Sequence, residues 1–184
     1  MKRIFLLSSI VIIFLSPASA LGQDNPQYFK VKLGTYFFSD DLKDAHPMGF
    51  NGEIVYGYHL NHELVLEGGA GYFHDGVPKG NDVRGKSFTI SVKKKFSAES
   101  FEPFAGAGLG VYATKYEESS NGDISTDTDT VFGGHLFIGM NYNVTPSMFI
   151  GIEGKYIFTE KAKYNGIKAD LDGFATMLSL GFRL

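Results

Sequence analysis

The chain has 184 residues, a formal net charge of −3, 43% hydrophobic residues and no cysteine. Without cysteine there is no disulfide framework, no thiolate metal site and no lipidated cysteine anchor. The hydrophobic content excludes a disordered chain, and the acidic balance argues against a nucleic-acid partner, which would want a basic stripe.

Residues 1–20 predict an export signal. Met1-Lys2-Arg3 is a basic start, Ile4 to Leu15 is apolar apart from Ser8 and Ser9, and Pro17-Ala18-Ser19-Ala20 offers a small-residue cleavage site after Ala20. The apolar run is too short for the ~20 residues that span a bilayer as a helix. Removing it takes Lys2 and Arg3 and no acid, which moves the formal net charge from −3 to −5. Residues 21–184 then form one domain. No stretch in it is apolar and continuous enough for a membrane helix, so the mature chain either stays in water or enters a membrane as strands.

Beyond Ala20 the hydrophobic period is two, the spacing of strands. Eight runs follow in chain order. Tyr28 to Phe38 sets Phe29, Val31, Leu33 and Phe37 against Lys30, Lys32, Gly34 and Tyr36. Phe50 to Leu60 sets Ile54, Tyr56 and Tyr58 against Asn51, Glu53 and His59, and Glu63 to Phe73 sets Leu64, Leu66 and Tyr72 against Glu63, Glu67 and Gly69. The fourth sets Phe88, Ile90, Val92 and Phe96 against Ser87, Ser91, Lys93 and Lys95.

The fifth, Pro103 to Lys115, alternates Ala105, Ala107, Leu109 and Val111 with Phe104, Gly106, Gly108, Gly110 and Tyr112. The sixth, Val131 to Tyr142, separates Leu136, Ile138 and Met140 from His135 and Asn141; the seventh separates Ile150, Ile152 and Tyr156 from Glu153 and Lys155. The eighth, Leu171 to Leu184, separates Phe174, Leu178, Leu180 and Phe182 from Gly173, Ser179 and Arg183.

Short turns at Asn61-His62, Ser97 to Ser100 and Thr145-Pro146 alternate with long polar connections at Ser39–Met48, His74–Arg84, Glu117–Thr130 and Thr159–Asp170. An even strand number with short turns at one end and long loops at the other predicts an all-β, eight-stranded, antiparallel up-and-down transmembrane barrel. The second face supports this orientation. It is rich in Gly, Ala and Ser with isolated charges, unlike a water-exposed coat but suited to a narrow lumen filled by side chains. Lys94 is the main exception on the apolar face, and its place near a short turn lets it reach water.

The segments Phe101-Glu-Pro-Phe-Ala-Gly-Ala-Gly-Leu-Gly-Val-Tyr112, Phe149-Ile-Gly-Ile-Glu-Gly-Lys-Tyr156 and the closing Gly181-Phe-Arg-Leu184 resemble strands five, seven and eight of the small bacterial outer-membrane barrels of OmpA, OmpX and OmpW type. The final Leu184 departs from the Phe usual there. The resemblance implies an outer-membrane location, membrane lipid and lipopolysaccharide as surroundings, and the barrel-assembly machinery as a partner during biogenesis. A monomer is expected.

No catalytic, cofactor or metal site is expected. Gly106, Gly108 and Gly110 repeat inside a strand and lack the following helix of a nucleotide fingerprint. None of His46, His59, His62, His74 and His135 precedes a serine by two positions, as the lipid A deacylase pattern would require. Asp123, Asp127 and Asp129 in the third long connection offer oxygen ligands for Ca²⁺, but the Gly and Glu of a calcium loop are missing, so a solvated acidic tip is expected. In the lumen, Glu53, Glu67 and Glu153 are expected to pair with Lys32, Lys93, Lys155 and Arg183 as a structural network. The function expected is a non-enzymatic scaffold presenting four extracellular loops to lipopolysaccharide, host surfaces or a partner protein. An OmpW-like conduit for small apolar molecules or ions, and a lipid A-modifying enzyme, are the alternatives.

Overall fold

The computed structural model describes residues 27–39, 48–75, 81–96, 100–120, 123–164, 167–169 and 171–184. The expected signal and its cleavage site lie outside the described residues. Eight strands form the wall: β1 (Gln27–Phe38), β2 (Gly49–His59), β3 (Leu64–Asp75), β4 (Asn81–Lys95), β5 (Phe101–Ser120), β6 (Asp123–Asn143), β7 (Met148–Thr159) and β10 (Gly173–Arg183). Two short strands, β8 (Ala162–Tyr164) and β9 (Ile167–Ala169), pair as a separate hairpin between β7 and β10. Every wall strand is antiparallel to its sequence neighbour. The barrel closes where β1 meets β10, with Tyr28 opposite Arg183 at one end and Phe38 opposite Gly173 at the other. Ser39 N–H to Asp172 O and Leu184 N–H to Gln27 O, each 2.8 Å, continue the ladder past both ends of this seam. Closure pairs the backbone polar groups of the wall, the condition for irregular-free crossing of hydrocarbon by strands.

The short turns have local causes. Asn61 Oδ1 accepts the N–H groups of Glu63 and Leu64 at 2.9 and 2.8 Å, fixing the β2–β3 turn. Thr145 Oγ1 accepts the Met148 N–H at 3.0 Å and fixes the β6–β7 turn in the same way.

Burial is inverted relative to a water-soluble barrel. Lys30, Lys93, Glu153 and His135 are almost completely buried, while Leu109, Ile138 and Leu178 are about two-thirds exposed at 69%, 68% and 66%. Apart from Glu63, the face assignments read from the alternation hold on the eight wall strands. Aromatic residues recur eight positions apart on the outer face, at Phe29 and Phe37, Phe88 and Phe96, and Phe174 and Phe182. At ~3.3 Å per residue and a ~40° tilt this spacing is about 20 Å, near the apolar band between two aromatic girdles. Across the seam, Phe29 faces Phe182 and Phe37 faces Phe174, so both girdles run through the closing pair.

Lumen glycines make room for rings. Tyr28, Phe73, Phe137, Phe104 and Phe149 lie directly opposite Gly57, Gly85, Gly106, Gly139 and Gly181, and a Cβ at any of these glycines would overlap its partner's ring. The Gly106–Gly108–Gly110 repeat therefore serves packing in a crowded interior, as expected for glycine in a strand.

Three sequence expectations need correction. The connection Glu117–Thr130 is a strand hairpin, because β5 and β6 remain paired from Phe101 opposite Tyr142 up to Ser120 opposite Asp123. Polar alternation in a solvated ladder carries no hydrophobic period, so the sequence pattern stopped where the apolar face did. The stretch Thr159–Asp170 likewise contains the β8–β9 hairpin. Glu63, assigned by parity to the lumen, sits exposed in the turn before β3, its carboxylate 3.4 Å from Lys94 Nζ.

Candidate functional site

The lumen holds an ionic core between two apolar ends. Alternation on β1, β2, β3, β4 and β7 sends every second side chain inward, which delivers seven charged groups from five strands to one buried zone. Nearest the short-turn end, the Glu67 carboxylate lies 2.8 Å from both Lys30 Nζ and Lys93 Nζ. The Tyr28 hydroxyl donates to the same carboxylate and accepts from Lys93. Lys93 Nζ also stands over the Tyr28 and Phe104 rings, 4.6 and 5.1 Å from their centroids.

One layer further out, Lys32 Nζ is 2.6 Å from Glu153 and 3.3 Å from Glu53. Lys155 Nζ donates to both Glu53 oxygens at 2.6 and 2.7 Å. Lys30, 3.7 Å from Glu153, connects the two layers. Charges this deeply buried persist only when each has an opposite partner, and here each carboxylate meets at least two ammonium groups.

The structure thus brings together Lys32, Glu53, Glu67, Lys93, Glu153 and Lys155, and leaves Arg183 apart. Arg183 lies at the short-turn rim, donating to Asn143 Oδ1 at 2.6 Å and to Pro146 O at 3.2 Å, with Glu102 at 4.0 Å. It shares the lumen face but not the layer, because register fixes height and alternation does not. Glu102 forms a rim group with Lys95 at 3.0 Å and Asn141 at 3.2 Å. Sequence reasoning missed Lys30, Tyr28 and His135 as members of the core. Lys30 was detectable, since it shares its face with Lys32.

Both ends of this core are closed by apolar packing. Tyr36, Phe38, Phe73, Tyr112, Ile157 and Leu171 belong to a buried cluster at the long-loop end, where the Tyr36 hydroxyl donates to Leu171 O. Tyr28, Val65 and Phe149 pack at the other. A cavity of about 10 Å³ between the ionic core and the outer cluster has room for one water at most. Ser91 Oγ and His135 Nε2 are 2.8 Å apart, a nucleophile–base spacing, but both are buried within the lumen. Among residues with described side chains no group of acidic and histidine residues is arranged to hold a metal. Asp123 and Asp127 lie outside that set.

A filled, charged lumen inside an apolar wall is the arrangement of a small membrane barrel, and the sequence match is in accord. Residues 6–182 match the family described as the outer membrane protein beta-barrel domain. The chain belongs to this family. As a member it is a protein of the bacterial outer membrane. A 22 kDa outer membrane protein of Rhizobium leguminosarum bv. viciae is 26% identical over 137 residues, which span 72% of this chain and 63% of that relative, just under two thirds of its length. Neisserial surface protein A shares the fold with a TM-score of 0.65 at 20% identity, over 88% of this chain and 99% of that one. OprG of Pseudomonas aeruginosa shares it with a TM-score of 0.60 at 13% identity, over 87% and 96% of the two chains. At these identities the family likeness to both concerns the fold.

Proposed function

We propose that this barrel is a non-enzymatic, monomeric anchor that holds a polar hairpin and the neighbouring long connections at the cell surface, in contact with lipopolysaccharide, host surfaces or a partner protein. The observation that carries this reading is the blocked lumen: ion-paired layers, rings over glycines and an apolar cluster leave no aqueous path among the described residues. A filled centre favours a role for the outer end of the barrel. There β5 and β6 continue nine residues beyond Val111, about 30 Å of strand, or about 23 Å of height at a ~40° tilt.

The conduit alternative needs either an open centre or a gap in the wall, and the seam between β1 and β10 is paired along eleven positions. Against the enzyme alternative, the Ser91–His135 pair among the described residues is sealed inside the lumen, away from any lipid ester. Protein reconstituted in planar bilayers and an accompanying lipid A mass spectrum separate the three. An anchor gives no stepwise conductance and leaves lipid A acylation unchanged on overexpression. A reproducible open state would replace it with the conduit, and altered acylation with the enzyme.

A further inference from the structure

The outer wall is notched at its short-turn end, the end that faces the periplasm in such barrels. There β3 begins at Leu64, opposite Lys94, while β4 runs on to Lys95 and stays bonded to β5 through the Phe96 N–H, 2.8 Å from Pro103 O. Beside the β2–β3 turn lies a cavity of about 330 Å³, lined by Asn61, His62, Glu63, Leu64 and Lys94. That volume falls within the range of small-ligand sites. Lys94 sits two residues on the hydrocarbon side of the girdle residue Phe96, about 5 Å at a ~40° tilt. Leu64 and Lys94 share the outward face with Val92 and Phe96, so the notch opens sideways into the membrane border.

Both charged residues of the notch stand on fixed backbone. The Glu63 N–H donates to Asn61 Oδ1 at 2.9 Å, and the Glu63 carbonyl accepts the Lys95 N–H at 2.7 Å. Lys94 is held in the ladder opposite Leu64, and its Nζ lies 5.6 Å from the centroid of the Phe96 ring. The two charges are 3.4 Å apart, with side chains 52% exposed for Lys94 and 65% for Glu63. Each therefore keeps capacity beyond the other: an ammonium has three donors, and a carboxylate accepts on both oxygens.

We propose that this notch binds the zwitterionic headgroup of an ethanolamine phospholipid in the inner leaflet, with the phosphate on Lys94 and the ammonium on Glu63. A phosphate alone on Lys94 would lie close to the Glu63 carboxylate and be repelled by it. A phosphate that carries an ammonium on a two-carbon arm sets each charge beside its opposite, so the site rejects a purely anionic headgroup by built-in repulsion. Leu64 and the exposed Phe96 ring supply apolar contact for the glycerol and upper acyl carbons, which a soluble zwitterion lacks. The site lies at the opposite end of the barrel from the surface loops and is independent of what those loops contact.

The test is lipid retention by the detergent-purified protein in native mass spectrometry, with phosphatidylethanolamine and phosphatidylglycerol of the same acyl chains. The ethanolamine lipid is retained over the glycerol lipid by roughly threefold or more, the scale of an exposed ion pair. Millimolar free phosphoethanolamine displaces it poorly. Glu63→Gln abolishes the discrimination between the two lipids, and Lys94→Gln lowers retention of both. Lys86→Gln, an exposed lysine nearer the other rim, changes neither. Heat-dependent gel migration checks that each variant is folded, and the comparison of the two lipids on the unsubstituted protein stands without any variant. Equal retention of the two lipids, discrimination that survives Glu63→Gln, or ready displacement by free phosphoethanolamine overturns the site. None of these results bears on conductance, so the blocked-lumen reading keeps its separate bilayer test.

Discussion

Lys155 on β7 donates to both carboxylate oxygens of Glu53 on β2, at 2.6 and 2.7 Å, although β1 and β10 separate the two strands in the wall. The pair spans the lumen and ties opposite parts of the barrel together. Removing Lys155 leaves the Glu53 carboxylate with Lys32 Nζ, 3.3 Å away, so the cost is expected to fall below the about 3–5 kcal/mol of breaking an isolated buried pair. Lys155→Met is therefore expected to lower stability by about 1.5–3 kcal/mol, the worth of hydrogen bonds to a charged group, and the double substitution Glu53→Gln, Lys155→Met to recover part of it. Urea unfolding in lipid vesicles measures both.

The outer face makes an opposite demand. Leu178, midway between the girdle residues Phe174 and Phe182, is 66% exposed to the surroundings of the wall. Leu178→Arg is expected to cost about 2–4 kcal/mol, the depth-dependent penalty for a cation at the bilayer midplane. At the rim, Lys94→Leu is expected to change stability by less than about 1 kcal/mol, because its pairing with Glu63 is solvent-exposed. The same vesicle assay compares the two.

Two glycines separate a backbone constraint from a permissive site. A Cβ at Gly34 would overlap the Thr176 carbonyl across the closing seam, whereas one at Gly52 meets only Leu33 and Phe50 side-chain atoms at 3.4 Å. Gly34→Ala is expected to cost about 1–3 kcal/mol and to lower the folded yield. Gly52→Ala is expected to stay within about 0.5 kcal/mol of the parent. The heat-dependent shift on unheated gels reports the folded fraction of each.

The wall was legible in the sequence because lipid demands one apolar face throughout, and alternation such as Phe88, Ile90, Val92 against Ser87, Ser91, Lys93 records that demand directly. The β5–β6 extension was not, since a hairpin in water keeps both faces polar and loses the period. The site was legible as a face but not as a set of partners. Lys32 and Lys155 were visibly inward, yet that Lys155 meets Glu53, and that Arg183 stays at the rim with Asn143, depends on strand stagger around the closed wall.

The chain contains no tryptophan, so a single introduced indole reports one position without background. Leu178→Trp in vesicles of acyl-brominated lipid tests the inside-out arrangement most directly. Strong quenching by bromines near the chain ends, with little quenching by aqueous iodide, is the outcome expected of an apolar wall in hydrocarbon. Quenching by iodide and indifference to brominated lipid would show that face in water and contradict the orientation on which the barrel's function rests.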